Sequence, residues 1–502
     1  MPSRRIDPRM IAGLERIVGR EQVLTKEEEL RLYEYDGSVE TGRPDCVVFP
    51  GNKSEVVEIA RWSNRNGVPM VGRGAGTGLS GGALAREGGV QVVFSRMNRI
   101  LAVDYENQRA VVEPGVVNLE LSRAVARAGL QYAPDPSSQK SCTIGGNVSE
   151  NAGGPHTLRY GVTTNHILGL EVVMPDGEMY RIGGAAVDAP GYDLVGLFVG
   201  SEGTLGLVVE ITAKLTRLPE SVKTLLAVFE TTDDATETVV ALTARGITPA
   251  ACEMMDGWTI RVVESWIRAG LPTDAGALLL IEVDGPKEAA EEQAAAVVET
   301  CREHKAREVR TAKDEREREA LWKARKNAFG AVGRVAPDCY VQDGVIPRTR
   351  LPETLRRIGE IGKRHGFEVG NIFHAGDGNL HPMLCFDRRE PGTFERAMAA
   401  ASEIIALCVE LGGSITGEHG VGMEKDRLMP LLFSETDLEL MKRVRSAFNP
   451  SGLLNPGKLF PVSKSCGEIR APAMGRGPSE PIEGARNERV GSDAETRGGT
   501  QR

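Results

Sequence analysis

The chain has 502 residues, 41% of them hydrophobic and 26% charged, with a formal net charge of −9. That length supplies cores for two or three domains, and an acidic balance without a basic patch excludes nucleic acid as a partner. No apolar run reaches transmembrane or signal-peptide length, so the expected location is cytoplasmic, peripheral at the inner face of the membrane only through a partner.

In chain order, residues 1–33 read as a helical segment. "DCVVFP" is a strand, and Ser54 is expected to cap the helix "SEVVEIARWSNRNG". "VPMVGRG", "VQVVFS", "ILAVDYE" and "RAVVEPG" are further strands separated by turn residues. Asn118 is the expected cap of "NLELSRAVARAGL", which stops at Gly129.

Three glycine-rich segments interrupt this alternation. "VGRGAGTGLSGGA" contains a literal G-x-G-x-x-G at Gly76, Gly78 and Gly81. A nicotinamide-binding Rossmann turn needs a long helix next, but "GGALAREGGVQVVF" is no helix. The choice is between a floppy loop and bare amides wrapped around a pyrophosphate. "PDPSSQKSCTIGGNVSENAGGPHTLRYG" and "VGSEGTLGLVVEITAKL" add hydroxyl and amide side chains to more glycine. Three such segments in one half of the chain point to a large polar ligand.

Composition changes near Leu218-Pro219. Beyond it, "KEAAEEQAAAVVETCREHK" and "KDEREREALWKARKNAFGAV" are helices, while "LLAVFE", "ALLLIEVDG" and "DCYVQDGVIP" are strands. This mixture implies an α+β domain with a largely antiparallel sheet. The Gly-, Pro- and Ser-rich end from residue 463 to 502 is expected to be disordered. The eight cysteines form no C-x-x-C pair, which argues against disulfides, zinc thiolates and an internal iron–sulfur cluster.

"FHAGDGNLHP" places two of only seven histidines around a turn. With Asp377-Gly378 as a two-residue hairpin loop, His374 would stand directly opposite His381 on one face. Downstream, "SITGEHGVGMEK" brings Glu418 and His419 on a glycine-flanked loop. His374, His381 and Glu418 make a set of N and O donors suited to Zn or Mn. The alternative is a hydrogen-bonded polar cluster beside a substrate.

The combination "PDPSS…CTIGGNVSENAGG", "GSEGTLG", "HAGDGNLHP", "GEHGVG" and "NPGKLF" resembles FAD-linked 2-hydroxy-acid oxidases and dehydrogenases of the vanillyl-alcohol-oxidase type. The nearest branch holds glycolate oxidase flavoprotein subunits, D-lactate dehydrogenases and D-2-hydroxyglutarate dehydrogenases. The resemblance runs from about Glu34 to Pro461. It implies a two-subdomain FAD-binding domain of the PCMH type at 34–218, an α+β cap at 219–411, and a segment 412–462 returning to the flavin.

For FAD, the resemblance implies binding by Arg73, Gly74, Ala75, Gly76, Thr77 and Gly78; by Pro134, Ser141, Thr143, Gly145, Gly146, Ser149, Asn151, Ala152 and Gly154; and by Glu202, Gly203, Gly206, Val208 and Val209. Residues 72–82 hold no His or Cys, so FAD is expected without a covalent link. His156, the nearest alternative tether, reads as an ordinary polar residue. The resemblance also implies a divalent metal on His374, His381 and Glu418, with the two histidines against the substrate. It makes His419 the catalytic base and Arg325, in W-x-x-R, the carboxylate-binding cation. Lys323 and Lys326 are expected on a solvated helix face. Members that use 2-hydroxyglutarate carry a lysine where Val341 stands, so the expected substrate is glycolate or D-lactate. An iron–sulfur subunit feeding a quinone or cytochrome is the expected electron partner. The alternatives are a D-2-hydroxyglutarate dehydrogenase, an alkyl-glycerone-phosphate synthase relative and a flavin-binding subunit without catalysis.

Overall fold

Asp7 caps the first helix, Pro8–Val18, by accepting from the amides of Arg9 and Met10. Its apolar face lays Met10, Leu14 and Val18 against Ile59 and Trp62 of the helix Lys53–Asn66. The computed structural model describes residues 6–186 and 190–461, so the expected disorder of 463–502 lies outside the described residues. Beneath the helices runs a four-stranded sheet in the order Val23–Leu24, Cys46–Val48, Val90–Val93, Met70–Arg73. Its last three strands are parallel, and all four residues of Val90–Val93 are buried, as a covered parallel strand requires.

A second, antiparallel sheet has the order Ile100–Asp104, Arg109–Val112, Leu207–Lys214, Ile167–Val173, Met179–Gly183. Val173, Leu207 and Val209 from this sheet enter the core of the first. The first glycine segment leaves the end of Met70–Arg73, the third runs into Leu207–Lys214, and the second joins them in lining one cleft.

The third sheet has nine strands, all in antiparallel pairs. One face is covered by Thr232–Ala244, Lys287–Glu303, Leu351–His365 and Thr393–Glu410. The other is covered by Gly257–Ile267, Glu315–Lys326 and Ala328–Val332. Fully burying one Leu or Ile of this kind contributes about 1.5–3 kcal/mol. The C-terminal segment returns to the first sheet, where Leu454 bridges Met70 in parallel.

Several local expectations change. Asn52, not Ser54, caps its helix, accepting from the Glu55 amide. Asn118 lies inside its helix, with its amide spent on Pro134 O and Asn147. The expected single helix over 313–332 breaks at Asn327. "DCYVQDGVIP" divides into Asp338–Val341 and Gly344–Val345, leaving Gln342 and Asp343 between them. The histidine hairpin closes on four residues, with His374 paired to Asn379. The cause is competition for backbone groups: the Gly376 amide donates to Cys252 O, and Arg348 donates to Gly376 O.

Candidate active site

The glycine segments build a cleft of about 400 Å³ that continues into a smaller recess through Gly74, Ala83, Thr143, Gly146 and Glu150. Of the expected FAD residues, Arg73 to Gly78, Thr143, Gly145, Gly146, Ser149, Ala152, Glu202, Gly203, Gly206 and Val208 line these walls. Five lie off them. Pro134 faces Asn118, Ser141 is exposed, and Asn151 caps the Thr164 amide. Gly154 packs on Asp135 backbone, and Val209 is in the core. Gly76 has φ +69, and a Cβ there would lie 2.1 Å from Arg73 Nη2. Arg73 is 6% exposed, and its Nη1 has no hydrogen-bond partner among the described residues.

At the far end of the cleft stand His381, Glu418 and His419. His374 donates from Nδ1 to Glu253 at 2.8 Å, which aims Nε2 at Glu418 Oε1, 3.0 Å away. His381 Nε2 lies 3.4 Å from the same oxygen. Donor atoms of His374, His381 and Glu418 all fall within 4.8 Å of one another. Among the described residues, His381 has no hydrogen-bond partner on either ring nitrogen. Burial alone would lower the His374 pKa, but the Glu253 and Glu418 charges outweigh it and hold it well above the ordinary value. The mirror effect brings Glu418 down to about 2, against burial, through His374 and His381.

His419 stacks on His381, with ring centroids 4.9 Å apart and planes 8° from parallel. Burial lowers its pKa to about 4, with Asp343 pulling the other way. The imidazole is therefore neutral over the working range, with capacity for one proton. Asp343 fixes this loop. It accepts from the amides of Gly417 and His419 at 3.0 Å, from Glu418 N at 3.3 Å, and from Lys425 at 3.2 Å. Burial raises its carboxyl, but the Lys425 ammonium holds it well below the usual range.

Helix Glu315–Lys326 brings Arg325 to the cleft at its C-terminal end. Arg325 is held by Glu253 through Nε at 2.7 Å and Nη2 at 2.6 Å, so one carboxylate orients both the guanidinium and His374. Lys326 also lines the cleft, whereas Lys323 is exposed as expected. Sequence reasoning missed Glu253, Asp343, Glu150 and the cleft position of Lys326. The available signal for Glu253 was an acid inside the apolar run "AACEMMD".

A family model for an FAD binding domain matches residues 44–183, and one for the C-terminal domain of FAD linked oxidases matches residues 218–459. The glycolate oxidase subunit GlcD of Escherichia coli strain K12 is 48% identical over 451 residues, 90% of each chain. The chain belongs to the FAD-linked oxidases. GlcD of Bacillus subtilis strain 168 is 44% identical over 86% of this chain and 92% of that protein. Among solved structures, p-cresol methylhydroxylase superposes with a TM-score of 0.77 at 18% identity, over 90% of this chain and 96% of that one. The last likeness carries the fold, that of the vanillyl-alcohol-oxidase type.

The cofactor of this FAD-linked oxidase is FAD, and the cleft fits it. The unpartnered Arg73 Nη1 and the glycine cradle beside it suit a pyrophosphate. The histidine–carboxylate set likewise fits a divalent metal, since the Glu253–His374 bond is the carboxylate support that metal-ligating histidines need. No helix among the described residues is long and apolar enough to cross a membrane.

Behind the cleft, His156 joins the two halves of this FAD-linked oxidase. Its Nδ1 lies 2.9 Å from Asp135 and its Nε2 3.2 Å from Glu282 of the nine-stranded sheet. Burial lowers its pKa, but the two carboxylates overcome this and raise it to about 10. A raised folded-state pKa gives stability that is whole below the unfolded value of about 6.5 and is lost as pH rises through the folded one. Urea melts should therefore show stability falling between pH 7 and 10, with a shallower slope in His156→Gln. Equal slopes would contradict the assignment.

Proposed function

We propose that this chain oxidises a short 2-hydroxy acid, glycolate or D-lactate, to the 2-oxo acid. The observation that carries this reading is the shared cleft: neutral His419, Arg325, His381 and Glu418 line the same walls as the FAD-binding glycines, with His374 buried directly behind them in the same donor set. In this reading Arg325 and the two metal-set histidines orient the substrate. His419 Nε2, 3.9 Å from Glu418 Oε1, accepts the hydroxyl proton. FAD supplies the acceptor for the α-hydride. A divalent ion on His374, His381 and Glu418 would acidify the substrate hydroxyl.

Val341 supports a monocarboxylate, since its side chain packs with the apolar cluster around Trp322 and Met383 and offers no cation to a second carboxylate. The relatives' description as a glycolate oxidase subunit supports an assembly of several chains. An iron–sulfur protein is the partner we infer, passing electrons to a quinone or cytochrome at the inner face of the membrane. FAD is held without a covalent link in this reading, because residues 72–82 offer no His or Cys.

Anaerobic titration tests the proposal. Glycolate or D-lactate should bleach the flavin, D-2-hydroxyglutarate should do so poorly, and acid precipitation should release the flavin into solution. Flavin that bleaches with dithionite but with no 2-hydroxy acid would sink the enzyme reading and leave a flavin-binding subunit.

A further inference from the structure

Outside the cleft, two cysteines stand face to face. Cys339 on Asp338–Val341 is the direct antiparallel partner of Cys385 on Pro382–Phe386, and their sulfurs lie 3.9 Å apart. The register decides how close the backbones come. Gln342 N donates to Pro382 O at 3.0 Å. Bonded and non-bonded pairs alternate along an antiparallel ladder, so counting back from Gln342 makes Cys339 and Cys385 a non-bonded pair. Opposed Cα atoms in such a pair stand about 4.5 Å apart, within the roughly 4.4–6.8 Å that a disulfide spans. The missing C-x-x-C spacing does not bear on this pair, whose members are 46 positions apart and meet only through the sheet.

Among the described residues, Cys339 and Cys385 are also the two cysteines that are not buried, so a small oxidant and a reductant both reach them. The hydrogen bond between the sulfurs lowers the Cys385 pKa and raises that of Cys339. Cys385 is therefore the attacking thiolate and Cys339 the resolving thiol.

We propose that Cys339 and Cys385 form a reversible redox site that takes a peroxide as its substrate and closes to a cross-strand disulfide. The Cys385 thiolate attacks one oxygen of hydrogen peroxide, the O–O bond breaks, and a sulfenic acid forms as hydroxide leaves. The Cys339 thiol then attacks that sulfur, the S–O bond breaks, and the oxygen leaves as water with the thiol proton. Two thiols lose two electrons, and one peroxide becomes two waters. A half-exposed bridge of this kind is open to thiol reductants, which makes the step reversible. The bond would tie the strand that runs on to Asp343 to the strand that follows His381, two side chains 3.6 Å apart in the site. Both cysteines also pack against the cluster that holds Trp322 and Phe329, and Phe329 lines the cleft. Closing the gap moves the sulfurs by roughly 2 Å. Oxidation is therefore expected to slow the enzyme.

The test treats the FAD-loaded chain with hydrogen peroxide, then with dithiothreitol. Trypsin cuts after Arg334, Arg348, Arg364 and Arg388, which puts Cys339 and Cys385 on separate peptides with one cysteine each. Peroxide should join these two peptides with the loss of two hydrogens, and dithiothreitol should part them. Glycolate-driven flavin reduction should slow roughly 10-fold in the joined form, on the scale of a small misplacement near a reacting group, and recover with the reductant. In Cys339→Ser the joined peptides should be absent, dimedone should trap a sulfenic acid on Cys385, and flavin reduction should hold through the treatment. Unjoined peptides in the natural chain, or linkage of either cysteine to any other thiol, would overturn the site. Joined peptides with unchanged flavin reduction would overturn its coupling to the cleft. A reduced natural chain whose flavin no 2-hydroxy acid bleaches would instead overturn the functional reading, while the peptides still decide the redox site.

Discussion

His419→Ala is expected to keep FAD and metal while flavin reduction slows by roughly 10²–10⁴-fold, the usual worth of a general base. The separation follows from the contacts. His419 is outside the His374, His381 and Glu418 donor set, although it forms a second potential set with Asp343 and His381, and Asp343 grips its backbone amide. The loop therefore keeps its shape when the imidazole is removed. His374→Ala should behave differently. It removes one donor and leaves Glu253 paired only to Arg325, so metal content and substrate affinity should fall together. Stopped-flow reduction without oxygen, with metal analysis of each variant, reads both effects. Natural reduction rates in His419→Ala would remove the base from the scheme, and full activity in a metal-free His374→Ala would leave the histidines as hydrogen-bonding groups.

Gly76→Val is expected to give a folded, colourless protein. At φ +69 a β-branched residue is strained. Its Cβ would also press on Arg73, whose free Nη1 marks the pyrophosphate end of the cleft. Far-UV dichroism should stay natural, because residue 76 lies in a loop beyond the strand Met70–Arg73. A yellow Gly76→Val with natural FAD content would refute the cradle.

The glycine segments were legible because composition alone marks backbone that must come close to something. The histidine hairpin was legible in a subtler way. The turn has two more residues than the Asp377-Gly378 signal implied, yet a slip of two positions preserves the face. His374 and His381 therefore still meet, as diagonal neighbours with centroids 5.1 Å apart. Glu253 and Asp343 were illegible, since an acid inside an apolar strand gains meaning only from partners distant in sequence. Arg325 donates to Glu253 across 72 positions. Asp343 collects amides more than 70 positions further on. Lys326 was misjudged because adjacent helical residues point about 100° apart, which turns it to solvent in an endless helix. It stands four residues after Trp322 on the same helix face, and its stem lies over that ring.

The last residues of the fold hold its first loops in place. Asn455 donates to Gly82 O and Glu202 O, Lys458 donates to Leu84 O, and Glu202 accepts from Val421 and Gly422 amides. During synthesis, then, the flavin loops emerge early but stay unbraced until some 250 further residues have left the ribosome, since Glu202 and Asn455 are 253 positions apart. Cofactor loading becomes a closing step of biogenesis. A nascent chain stalled before residue 421 would carry the complete FAD-binding half and still lack the contacts that brace it.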